Sequence, residues 1–249
     1  MRALILAAGR GRRMGEHTNS KPKCLTMFRG KPLIEWQINA LNKSGINEIG
    51  VVTGYKSNLL KKYCLRQFHN KDWFKTQMVS SLECASDWVK QGDIVISYSD
   101  IFYEHNAINL LVKSNRDISI LYDANWLNLW SLRFKDPLSD AESFLLNKQN
   151  ELLEIGDKVN DFSKIKGQYM GLIFFSKNGW ETFYNNRLKL SKSEKMIEDM
   201  TSAFQRLIRN KIIVHGVKYN GQWGEIDTID DLIKYEKNPS QFSYFSNKY

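Results

Sequence analysis

The apolar run Ala3-Leu4-Ile5-Leu6-Ala7-Ala8 breaks off into Gly9-Arg10-Gly11-Arg12-Arg13-Met14-Gly15. Six apolar or small residues followed by glycines read as a short buried strand opening into a loop. That loop has room for a phosphate against its backbone N–H groups. Apolar residues then recur at three- and four-residue spacing over 32–44, with Pro32 suited to a first helical position and Gly45 to a stop. A second apolar run, 48–53, ends at Gly54. Strand, glycine loop, helix, strand is a βαβ unit, and it commits the chain to a parallel sheet with helices on its faces.

The alternation continues. Helices are expected over 81–91, 104–114, 194–210 and 228–236, and strands over 93–97, 117–122, 169–176 and 212–219. Between 128 and 156 the texture changes to short extended pieces with turn signals, which reads as an antiparallel insertion. The expected fold is therefore a three-layer, Rossmann-like α/β domain with a mostly parallel sheet and a small β-rich insertion. One domain spans 1–249, with a first half (1–124), a second half (125–237) and an aromatic tail (238–249) suited to packing on a neighbouring chain, which leaves room for a homo-oligomer. Cys24, Cys64 and Cys84 are odd in number and lack zinc spacing, which argues against a disulfide framework or structural zinc. No stretch approaches the ~20 apolar residues of a membrane span, and the N-terminal run is short for a secretory leader, so a soluble cytoplasmic protein is expected.

Charge is unevenly placed. Residues 1–70 hold thirteen lysines and arginines against three glutamates, while the remaining 179 hold 23 against 24. A basic segment built around glycines favours a nucleoside triphosphate over nucleic acid as the polyanion it faces. The loop is neither a dinucleotide fingerprint, which would need glycine at Met14, nor a P-loop, which would need a GK[ST] ending. Lys21-Pro22-Lys23 follows, and the proline stiffens the loop enough to hold both ammonium groups.

LAAGRGRRMG followed by KPKCL resembles the signature of the nucleotidyltransferases that make nucleotide-activated sugars and polar head groups: AAGxGxR, then PKxL. Gly9, Gly11 and Arg13 fall on the first part, and Pro22, Lys23 and Leu25 on the second. Val51–Tyr55 (VVTGY) resembles the bacterial phosphocholine cytidylyltransferases in particular. The resemblance implies a GT-A-like version of the expected fold and attack by an acceptor phosphate oxygen on the α-phosphorus of CTP, with pyrophosphate leaving. It also assigns roles, making 1–124 the nucleotide-binding half and 125–237 the acceptor-binding half. Lys23 and Arg13 become the catalytic cations. Leu6, Ala7, Ala8, Gly9 and Gly11 line the nucleotide, with Thr53 and Gly54 from the second strand end. Gln77, Ser80 and Ser81 stand where relatives read the base, although helix capping explains the two serines equally well.

Chemistry of this kind rests on positioning and on neutralising charge, and Mg²⁺ needs hard oxygen ligands. Asp100 lies just beyond the 93–97 strand, where ligands bind in open α/β sheets. Relatives carry an acidic pair there, of which only the second acid stands in Tyr98-Ser99-Asp100. Asp227, in GEIDTIDDL, resembles the second metal ligand, with N-capping as its plainer role. Glu198 and Asp199 resemble acidic positions near the acceptor in some relatives, with a solvated helix face as the plainer role and no part in holding metal.

The acceptor is less determined. Trp126-Leu127-Asn128-Leu129-Trp130-Ser131-Leu132-Arg133 offers tryptophans for a cationic head group and Arg133 for a carboxylate, so Trp126 and Arg133 are the candidate acceptor contacts. For Trp126 and Trp130, packing is the plainer role. The four histidines lack metal spacing, and Trp36, Trp73, Trp88 and Trp180 read as core or interface aromatics. Whole-chain resemblance points to the cytidylyltransferases of capsule phosphoramidate synthesis, implying L-glutamine phosphate, with phosphocholine second and a sugar 1-phosphate third. The rival class is a non-catalytic nucleotide- or nucleic-acid-binding subunit on the same scaffold. Retention of Arg13, Lys23, Asp100 and Asp227 together argues against it.

Overall fold

The computed structural model describes residues 1–246. Its centre is a seven-stranded sheet of β1 (Arg2–Ala7), β2 (Glu48–Thr53), β3 (Arg66–His69), β4 (Ile94–Tyr98), β5 (Ile118–Asp123), β6 (Gln168–Phe175) and β7 (His215–Tyr219), in the order β7-β5-β6-β4-β1-β2-β3. All neighbouring strands run parallel except β6, which is antiparallel to both β4 and β5. Both halves of the chain thus contribute to one sheet. Strand β1 shows why three layers form. Ala3, Ile5 and Ala7 face one apolar core and Leu4, Leu6 and Ala8 the other, as the two-residue period dictates. The first core takes α1 (Leu33–Lys43) and, further on, α3 (His105–Lys113); the second takes α2 (Met78–Glu83).

Several expectations need correction. The helix expected over 81–91 is two short ones, α2 and Ser86–Val89, and the first starts three residues earlier. The segment expected as all extended begins with a helix, α4 (Trp126–Arg133), which buries Trp126, Leu129, Trp130 and Arg133. Only then comes the hairpin of Glu142–Leu146 against Leu152–Lys158. Helix α5 (Lys177–Leu188) follows β6. The single helix expected over 194–210 is broken into Lys192–Ile197 and α6 (Met200–Arg209). Asp199 caps α6 by accepting the Ser202 N–H, and Glu198 turns inward to Arg187 and Arg206, so it is buried rather than solvated. Helix α7 (Ile229–Lys237) is opened by a capping box of Thr228 and Asp231. The tail folds back on its own chain. Phe242 and Phe245 are buried against Phe28, Phe102 and Tyr235, so they need no neighbouring protomer. Its last three residues lie outside the described region.

Candidate active site

The carboxyl ends of β1, β2 and β4 converge on one cleft. The loop after β1 is drawn tight: Thr18 Oγ1 donates to the carbonyls of Gly11 and Gly15, and Met14 is buried beneath it. Gly11 has φ +75°, and a Cβ there would lie 2.7 Å from Lys23 Cβ. The glycine therefore lets the loop lie directly on the stem of the lysine. At the end of β2, a Cβ on Gly54 would come within 2.6 Å of both the Ala8 carbonyl and Trp73, while Tyr55 donates its N–H to that same carbonyl. Gly9 is open, with nothing within 4 Å of where a Cβ would be. Leu6, Ala7 and Ala8 are buried, leaving backbone as what this turn presents.

Lys23 sits in a short helical turn opened by Pro22, and its side chain is only 8% exposed. Its ammonium donates to Asp100 Oδ2 at 2.8 Å and to Asp227 Oδ1. Lys21 makes no hydrogen bond or ion pair among the described residues; one ammonium of the pair is held, not both. Asp227 is brought over by a short antiparallel ribbon, Trp223–Glu225 on Ile101–Tyr103, extended by the Ile226 N–H donating to the Asp100 carbonyl. Arg13, exposed along most of its length, reaches in to Asp227 Oδ2 at 2.9 Å.

Arg133 closes the cluster from behind. Its side chain is 1% exposed and bonds Glu225 and Asp231 at 3.1 Å each, with Asp227 at 3.5 Å. An arginine enclosed this way cannot also face an acceptor in the cleft; it holds the acids in place. Trp126 is buried on Trp130 and Phe162, as packing predicts. The electrostatics follow from the enclosure. Burial alone would lower Lys23, but Asp100 and Asp227 outweigh it and hold the ammonium above lysine's ordinary range. Burial would raise Asp227, but Lys23, Arg13 and Arg133 hold it below the usual carboxylate range. Glu225 is pushed up by burial and by Asp227.

Asp100, Glu225 and Asp227 each offer a carboxylate oxygen, all within 4.8 Å of one another. Asp100 Oδ1 is buried without a hydrogen-bond partner. Hard oxygens with one orphaned among them suit a divalent cation such as Mg²⁺. Glu225 was not singled out from the sequence, although its place two residues before Asp227 in an extended segment puts both on one side. At the base-reading position, the serine hydroxyls are spent on structure. Ser80 donates to the Lys195 carbonyl, and Ser81 accepts from Asn70. Gln77 is exposed, and its side-chain amide bonds nothing among the described residues. Thr53 is buried, with its hydroxyl 3.3 Å from His69 Nδ1.

A mostly parallel sheet, a glycine turn after its first strand and a lysine held between acids at the strand ends together define a nucleotidyltransferase. Residues 3–128 match the MobA-like NTP transferase domain, and the chain belongs to that family. It is 36% identical, over 93% of its length and 98% of the relative's, to the CTP:phosphoglutamine cytidylyltransferase of Campylobacter jejuni. It is 29% identical, over 61% of its length and 67% of the relative's, to the choline-phosphate cytidylyltransferase of Streptococcus pneumoniae. In fold it superposes on the inositol-1-phosphate CTP transferase of T. maritima with a TM-score of 0.79 at 20% identity, covering 99% of this chain and 96% of that one.

Proposed function

We propose that the chain transfers CMP from CTP to a small phosphorylated acceptor, L-glutamine phosphate, and releases pyrophosphate. The observation that carries the reaction type is Lys23, held by Asp100 and Asp227 against the glycine turn. The full-length similarity to a phosphoglutamine enzyme supports the nucleotide and the acceptor. In the reaction an acceptor phosphate oxygen bonds to the α-phosphorus as the bond from that phosphorus to the bridging oxygen of the leaving pyrophosphate breaks. The attacking oxygen is already anionic near neutral pH, so no side chain has to remove a proton. The difficulty is bringing two anions together and stabilising the charge that moves to the leaving group. The open turn at Gly9 and Gly11 presents backbone N–H groups to the triphosphate. Lys23 and Arg13 exchange carboxylate partners for phosphate oxygens. Asp100 and Asp227, with Glu225, would hold Mg²⁺, which when bound adds positive charge at the reacting phosphates. Gln77 is the side chain left free to read the base.

Pyrophosphate release across four nucleoside triphosphates and a panel of phosphorylated acceptors tests this. The expected result is release with CTP and L-glutamine phosphate, abolished by EDTA and restored by Mg²⁺. Release that persists in excess EDTA would remove the metal, and a preference for another nucleotide would remove the base assignment.

A further inference from the structure

Gln77, the side chain left free to read the base, opens a helix that does not secure its own start. Helix α2 has six residues, and no side chain caps its N-terminus. A glutamine spent on capping could not also turn its amide to a ligand. Here the amide is uncommitted, and the first turn is fastened from outside. The Gln77 backbone N–H donates to the Met196 carbonyl at 2.9 Å, and the Ser80 hydroxyl donates to the Lys195 carbonyl at 2.7 Å. Both acceptors belong to the Lys192–Ile197 helix, in the other half of the chain. Beneath α2, Val79 and Leu82 are buried in the core. Apolar contact of that kind sets how deep the helix lies but is non-directional, so the hydrogen bonds must set its rotation.

One buried group ties these contacts together, and the reaction makes no use of it. Arg187 projects from α5 and is fully enclosed. Its Nη2 donates to Ser80 Oγ, to Glu83 Oε2 and to the Lys195 carbonyl, each at 2.9 Å, while Nη1 donates to Glu198 Oε2. Glu198 in turn accepts from Arg206 Nε of α6 at 2.6 Å. A single guanidinium thus joins α2, the helix end that α2 leans on, and the break at Glu198-Asp199. Met78 and Asp199 both line the cleft beside Arg13 and Asp227, so the brace reaches the cleft from two sides. An apolar side chain would fill such a space about as stably as a buried ion pair. What it could not do is aim its neighbours, as a planar fork of donors does.

We propose that Arg187 is a positioning residue for nucleotide selection: it fixes the first turn of α2 so that the Gln77 amide meets the base, and it touches no substrate itself. The assignment rests on the cytidylyltransferase reading, but binding tests it apart from turnover. The probes are CTP and UTP, each titrated into the full chain. The wild type should bind CTP ~10–100-fold more tightly, the size of one or two well-aimed hydrogen bonds. In Arg187→Lys the charge stays, but a point-like ammonium cannot span the same acceptors. Its preference for CTP should fall ~10-fold while UTP affinity, set by the triphosphate contacts, stays within about twofold. General damage to the fold would weaken both nucleotides alike. Gln77→Ala should abolish the preference, and adding Arg187→Lys to it should change the preference no further, because the two act as a unit. Should Arg187→Lys fail to fold, Ser80→Ala removes the hydroxyl between Arg187 and Lys195 and should shift the preference in the same direction by less. An undiminished preference in the folded variants, equal weakening of both nucleotides, or additive losses in the double variant would overturn the positioning role. A wild type indifferent to the base, or a Gln77→Ala variant as selective as wild type, would remove the base assignment and Arg187's role with it. The expected pattern of binding without pyrophosphate release would overturn the proposed reaction and leave the positioning role standing.

Discussion

Two acidic clusters flank one cleft, and they differ in what balances them. Asp100, Glu225, Asp227 and Asp231 meet three cations of the chain itself, Lys23, Arg13 and Arg133, at 2.8 to 3.5 Å for all but the shortest contact. Asp140, Glu142 and Asp199 form no ion pair among the described residues, and only Asp140 lies near enough to Arg133 and Arg13 to be stabilised by them. The first cluster is set before any ligand arrives, so its charges stabilise the fold as well as positioning phosphates. The second carries its charge without a paired cation. The first cluster is thus preorganised by its own cations and the second is not.

The comparison breaks most visibly at Arg133. Removing a buried partner of several carboxylates leaves them uncompensated, so Arg133→Met should cost about 3–5 kcal/mol of stability. Denaturant midpoints would show it. Stability within about 0.5 kcal/mol of wild type would mean the rear of the first cluster is not the strut the distances describe. Lys23→Ala comes next: turnover should fall ~10²–10³-fold, measured as pyrophosphate release, because a preorganised cation at the developing charge is lost. Lys21→Ala should do far less, since Lys21 has no held position. Equal losses in the two variants would erase the distinction between a fixed lysine and a solvated one.

Much of the first cluster was legible in the sequence, and much of the second was not. Gly11, Lys23 and Asp100 lie in or just beyond the βαβ framework, where local pattern fixes where the chain goes. Asp227 could be matched only through its GEID segment, because the ribbon that carries it pairs with Ile101–Tyr103, more than a hundred residues away. Arg133 was singled out but placed facing the acceptor. Local sequence shows a basic residue near tryptophans, and nothing local reveals that α4 lies against α7 and turns the guanidinium to Glu225 and Asp231. Asp140, Glu142 and Asp199 come from a turn, a hairpin and a helix cap. Each has an ordinary local reason to be polar, so their meeting exists only in the tertiary structure. The break at Glu198-Asp199 was hidden similarly. The helical period runs on through it, and only the buried pairing of Glu198 with Arg187 and Arg206 redirects the chain.

The smallest effect is also the one that separates the clusters by sign. Glu142 stands at about 7 in the folded chain against an ordinary 4.5. A raised carboxyl favours its neutral form in the fold. Its contribution to stability is therefore complete below about pH 4.5 and is lost as pH rises through about 7. Glu142→Gln, permanently neutral, should match wild type near pH 4 and melt higher at pH 8. Solvent reaches this carboxylate and screens it, so the gain should be no more than about 2–4 °C, the size that ~1 kcal/mol produces in a chain of this length. Asp227 runs the other way. Held low by Lys23, Arg13 and Arg133, it stabilises the fold above the ordinary carboxylate value and ceases to as pH falls through its own lowered one. Asp227→Asn should therefore melt lower than wild type at pH 8, opposite in sign to Glu142→Gln. Melting scans of both variants at pH 4 and pH 8 decide the matter. If Glu142→Gln is destabilised at pH 8, some cation of the chain already answers the second cluster, and the contrast between the two ends of the cleft fails.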